Sequence, residues 1–227
     1  ASGVAFNVRH LGVSATADQW NRDDIVLRGT TFEEGSGIKN WQYTYNASAT
    51  VTGSDDKVHW VNYSSPELES IGHWSAERNQ NTYVRVCDNS GNCSEKTPVK
   101  IMIDKTKPTK PTTMEFVFGD WSRYTQDTWT NQSVFAASTK DSRGPSGSTD
   151  SSSGIAKYQI SSDGSTWVDY NYAYSETNTI YAMHSTGENV RYFRAVDNAG
   201  NVSDTNTTVV KVEKNKDKKR RNIQSSI

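Results

Sequence analysis

The chain lacks most of what organises an enzyme or a membrane protein. Its 227 residues include two cysteines, five prolines, three methionines and four histidines, and 33% of residues are apolar. No apolar run approaches the roughly 18 residues of a membrane span, so no direct span is expected in this fragment. No nucleophile elbow, zincin helix, phosphate loop or dinucleotide fingerprint occurs. His10, His59, His73 and His184 never stand at ligand spacing from another His or Cys. The chain is therefore expected to be no enzyme, with no catalytic residue, no cofactor-binding residue and no metal ligand. No window sustains a helical period, which leaves an all-β chain.

Charge of one sign is missing too, but only in the sum. The net charge is −1, yet Lys214, Lys216, Lys218, Lys219, Arg220 and Arg221 against Asp217 make a tail of +5, leaving −6 elsewhere. An acidic body excludes nucleic acid as the expected partner. The tail has no interleaved aromatics, and residues 214–227 are read as a flexible, solvated end. Ala1 is not an initiator methionine, so the chain is read as a mature or excised fragment, monomeric in solution.

What the sequence does have is a phrase written twice. Tyr83-Val84-Arg85-Val86-Cys87-Asp88-Asn89-Ser90-Gly91-Asn92-Cys93-Ser94 returns 109 residues later as Tyr192-Phe193-Arg194-Ala195-Val196-Asp197-Asn198-Ala199-Gly200-Asn201-Val202-Ser203. An offset of that size is a small-domain length rather than a solenoid period. Each copy alternates at the strand period of two and then supplies Asx-turn residues and a glycine suited to φ > 0, the signature of a β-hairpin. Val99 to Ile103 and Val209 to Val212 follow as the second strands.

Other anchors recur with shifted offsets. Gly37 to Tyr43 matches Gly154 to Ile160 at 117, which places an eight-residue gain in the Gly/Ser-rich stretch Ser138 to Ser153, expected to be a mobile loop that does not pack. Asp56 to Val61 matches Asp163 to Val168 at 107, so here the first half is longer by ten. About seven short strands per half indicate two tandem Ig-like antiparallel β-sandwich domains with Greek-key connections, at 1–105 and 106–213. Asp104 to Thr112, with Pro108 and Pro111, is the short Pro-containing linker between them.

Cys87 and Cys93 flank the first turn, and Val196 and Val202 replace them in the second, so the two positions are expected to touch and to form a disulfide. Asp88, Asn89 and Asn92 offer oxygens, but calcium takes six to eight and one short turn supplies too few. Trp20 and Trp129, Trp41 and Tyr158, and Trp60 and Trp167 recur in both halves and are assigned to core or edge packing. Trp121 and Tyr124 face Gly12 and Ala15 in the alignment instead. Tyr170, Tyr172 and Tyr174 alternate so that all three fall on one side of a strand. These five aromatics are the ligand-platform candidates, with a structural ladder as the competing reading.

The phrases Val-Arg-Val-Cys-Asp-Asn-Ser-Gly-Asn and Phe-Arg-Ala-Val-Asp-Asn-Ala-Gly-Asn, the first followed by Ile103-Asp104-Lys105-Thr106-Lys107-Pro108, resemble the bacterial Ig-like repeats of large exported cell-surface proteins of Gram-positive type. The resemblance extends to about Lys214. It implies a secreted or cell-surface address and a non-catalytic structural or adhesive module that spaces or presents others, its partners a cell-surface protein or a glycan. The alternative is a carbohydrate-binding accessory region of a secreted glycosidase.

Overall fold

The described residues of the computed structural model are 2–10, 18–32, 35–45, 61–63, 70–136, 144–170 and 181–214, and among them there is no helix. The chain divides into two compact units, Ala1–Thr106 with Asn198–Asn201, and Lys107–Asp197 with Val202–Ile227.

Among the described residues seven strands belong to the first unit: β1 (Ser2–His10), β2 (Ile25–Phe32), β3 (Ile38–Thr44), β4 (Val61–Tyr63), β5 (Ser70–Trp74), β6 (Arg78–Asp88) and β7 (Thr97–Ile103). They make two sheets, ordered β1-β2-β5 and β4-β3-β6-β7. Alternation decides which side chains meet between them. Along β7, Val99, Ile101 and Ile103 are buried while Lys100 and Met102 are half-buried. Ile25, Leu27 and Trp74 of one sheet pack with Trp41, Val84, Val86 and the β7 residues of the other. Each such aliphatic side chain contributes about 1.5–3 kcal/mol relative to its exposed state.

The second unit repeats the plan with β8 (Phe116–Val117), β9 (Trp129–Thr130), β10 (Val134–Ala136), β11 (Ile155–Ser161), β12 (Val168–Asp169), β13 (Ala182–Met183), β14 (Gly187–Asp197) and β15 (Asn206–Val212). Its sheets run β13-β10-β8 and β12-β11-β14-β15-β9. Met114, Phe116, Val134, Ala136 and Met183 meet Ile160, Phe193, Val210 and Val212 in the core. The chain is thus all-β, built as Ig-like β-sandwiches.

Among the described residues two pairings depart from the antiparallel rule. β9 runs parallel to β15, with Lys211 opposite Trp129, and Asn21 bridges Ile103 in parallel in the first unit. In both units this short segment, upstream of β2 or β10, lies along the final strand. It satisfies edge groups there: Asn21 N donates to Met102 O at 3.1 Å, and Glu213 N to Thr130 O at 2.7 Å. Its exposed Trp129 therefore sits on an edge strand rather than in a core.

The Gly/Ser-rich insertion corrects a sequence expectation. Residues 137–143 lie outside the described residues, but 144–153 pack. Ser146 and Thr113 exchange backbone hydrogen bonds at 2.9 and 3.3 Å, their hydroxyls meet at 2.9 Å, and Thr109 N donates to Thr149 O at 2.9 Å. Gly144 is buried against the Tyr170 ring, where a Cβ would come within 2.7 Å of Cε1. Apart from the buried Pro145 the composition has no apolar side chain to fill a core, but its bare backbone can approach a ring and pair with the threonine-rich segment 109–113. That segment is anchored as well: Pro108 and Pro111 are buried, and Asn206 Nδ2 donates to Pro111 O at 2.8 Å.

Candidate functional site

The repeated phrase forms the same turn twice. Antiparallel bridges join Cys87 to Cys93 and Val196 to Val202, and Gly91 and Gly200 adopt φ of 89° and 90°. A residue with a Cβ is strained there, which explains the repeated glycine. The last residue of the phrase closes each hairpin: Ser94 Oγ accepts from Val86 N at 3.1 Å and Ser203 Oγ from Ala195 N at 2.8 Å. In the first copy Asp88 accepts from Asn92 N and Nδ2, both at 2.8 Å. The Asn92 side chain first, aided by backbone amides and opposed by burial, holds the Asp88 carboxyl below the usual carboxylate range. Cys87 and Cys93 form a disulfide.

Two further residues of the repeat meet in space, and the sequence reading overlooked them. Arg85 Nε donates to Gln42 Oε1 at 2.7 Å, and Arg194 Nε donates to Gln159 Oε1 at 2.8 Å. Register brings them opposite each other, since Gln42 pairs with Arg85 and Gln159 with Arg194. The signal was present, because both glutamines and both arginines lie inside matched anchors. Arg194 also sits 4.0 Å from the centroid of the Trp167 ring, a cation–π contact. Trp167 is presented by the Asp163 turn, whose Oδ1 accepts from Thr166 N at 2.7 Å, Ser165 N at 2.8 Å and Ser161 Oγ at 2.9 Å. Those donors, the Thr166 amide foremost, hold Asp163 far below the carboxylate range.

Of the five platform candidates, the three among the described residues do not share one exposed face. Tyr124 and Tyr170 are 5% and 6% exposed and belong to the core of the second unit, so neither presents a ring face for stacking. Tyr170 packs against Tyr181 at 5.6 Å. Tyr124 Oη donates to Thr128 O at 2.6 Å and accepts from Lys211 N at 3.0 Å, tying its segment to β15. Tyr172 and Tyr174, like Trp60, lie outside the described residues. Trp121 is the one of the five that the described residues place at the surface, 38% exposed.

Trp121 has an unusual backbone. Phe118 N donates to Ser122 O at 2.9 Å and Trp121 N to Phe118 O at 3.0 Å. The repeated turn has the same frame, with Asp88 N to Asn92 O at 2.8 Å and Gly91 N to Asp88 O at 3.2 Å. Trp121, at φ 68°, therefore stands where that turn has glycine. The left-handed conformation costs a side-chain-bearing residue about 1 kcal/mol. Asp120 Oδ1 accepts from Ser122 N at 2.9 Å and from Ser122 Oγ at 2.6 Å, and those bonds, the hydroxyl first, lower the Asp120 pKa.

His73 and His184 make structural contacts. His73 Nε2 is 3.0 Å from Asp24, and His184 Nδ1 is 2.7 Å from the Ser133 hydroxyl.

No protein-family model matches the chain, and no curated protein does. Among solved structures it is similar to fibronectin(III)-like modules of Clostridium thermocellum CbhA, at 14% identity and a TM-score of 0.40, over 93% of this chain and 95% of that one.

Proposed function

We propose that this chain is a non-catalytic structural and adhesive module of a secreted or cell-surface bacterial protein, two Ig-like domains at 1–105 and 106–213 that space or present other modules. The observation that supports this reading is what the two halves share: the turn glycines, the closing serines and the Gln–Arg pairs. All are devices that hold strands together, and none aligns a nucleophile, base or acid. The disulfide favours an oxidising, extracellular setting. Residues 214–227 carry a basic charge balance, and the partner is a cell-surface protein or a glycan.

The test is fractionation of the native host with an antibody against this chain, combined with protease treatment of intact cells. Surface or secreted signal removed by external protease supports the reading, and signal confined to the cytosol defeats it. A second reading, an accessory region of a secreted glycosidase, draws on the exposed Trp121. The parent reading frame separates the two: further repeats favour the first, and a catalytic barrel favours the second.

A further inference from the structure

Trp121 breaks a local rule that its own chain obeys elsewhere. Gly91 and Gly200 hold the left-handed position of the repeated turn, whereas the Phe118–Ser122 turn puts the largest side chain there, at φ 68° and exposed. A hairpin tip serving only to reverse the chain would be better served by glycine. The surroundings instead hold the tip rigid. Val117 bridges Arg123, Tyr124 N donates to Phe116 O at 2.9 Å, and the Phe118 ring packs edge-on against Tyr124 at 5.9 Å. An exposed ring on a fixed hairpin loses little conformational freedom when a ligand covers it.

Resting on the adhesive reading above, we propose that Trp121 is the stacking residue of a glycan-contact site on the β8 hairpin, taking the apolar face of a neutral pyranose while Asp120 accepts hydrogen bonds from its hydroxyls. The chemistry selects that class. Asp120 Oδ1 already accepts from Ser122, and Oδ2 is a second acceptor on the same carboxylate. Asp120 and Glu115, against Arg123 alone, give the hairpin a negative balance that disfavours anionic glycans and anionic lipid. One partly exposed side chain also offers far less area than the about 800 Å² per partner of a standard protein interface.

The test titrates the full chain calorimetrically with hexasaccharides of glucose, xylose, mannose and N-acetylglucosamine, and compares Trp121→Gly and Trp129→Gly. Wild type should bind at least one sugar. Trp121→Gly should weaken that binding about tenfold or more while its melting temperature holds or rises, and Trp129→Gly should bind like wild type. The proposal is overturned if wild type binds none of the four, if Trp121→Gly binds as wild type does, or if Trp129→Gly removes the binding instead. A fall in melting temperature in Trp121→Gly with affinity intact would show the ring to be structural. Trp121-dependent retention on phosphatidylserine vesicles, without sugar binding, would replace the glycan by a membrane. A cytosolic location would defeat the wider reading yet leave the sugar affinities as measured, so the two failures are separable.

Discussion

Arg85 and Arg194 stand at the same place in the repeated phrase, and each binds a glutamine from the neighbouring strand at nearly the same distance. Their surroundings differ. Arg85 is 0% exposed, whereas Arg194 is half-buried with its guanidinium over the Trp167 ring. Strand register sets the partner, and burial is set separately by what each unit lays over that face. The same hydrogen bond therefore has different consequences in the two places, because an acceptor deprived of its partner is costly only where water cannot replace it.

That difference predicts the largest effect. Arg85→Ala should destabilise its unit by about 3 kcal/mol, since it removes a charged donor from the Gln42 oxygen in a dry site. Arg194→Ala should cost about 1 kcal/mol, as for a partly solvated charged contact. Urea unfolding followed by a probe specific to each unit measures both, and equal losses would break the comparison.

The next effect concerns the turns. Replacing Cys87 and Cys93 together by valine copies the second unit, where Val196 and Val202 bridge without a covalent bond. The loss should be at most about 2 kcal/mol, because the closed loop is short. A larger loss, read from the unfolding midpoint, would show that the first hairpin depends on its disulfide in a way the second does not.

The smallest effect is a pH dependence shared by the two units. Asp88 in one and Asp163 in the other have folded-state pKa values depressed by donors to their carboxylates. A depressed acid contributes stability above its unfolded pKa, about 4, and loses it as pH falls through the folded value. Melting temperature should therefore be flat from neutral pH down to about pH 5 and decline gently below about pH 4. Asp88→Asn and Asp163→Asn should each flatten that decline in its own unit, and an unchanged slope would remove the turn carboxylates as its cause.

Strand identity and the hairpin turns were legible in the sequence for a local reason. Alternation in Val99 to Ile103 and a glycine at Gly91 act through their immediate neighbours, so the pattern alone identifies a strand and a left-handed turn position. The candidate site was legible only in part. Trp121 could be singled out as an aromatic without a counterpart, but the turn frame that makes its φ unusual rests on the hydrogen bonds of Phe118. Tyr124 and Tyr170 look no different in sequence from surface aromatics.

The duplication, the all-β character and the chemistry of the repeated turns are local properties, because they follow from residue spacing and from the conformations that glycine, asparagine and aspartate favour. Packing between distant segments is what puts Tyr124 and Tyr170 inside, leaves Arg85 with no exposure while Arg194 has some, and pairs the stretch 144–153 with 109–113. A period of two separates the two faces of a strand but does not say which face another segment will cover, and that choice depends on contacts between residues far apart in the chain.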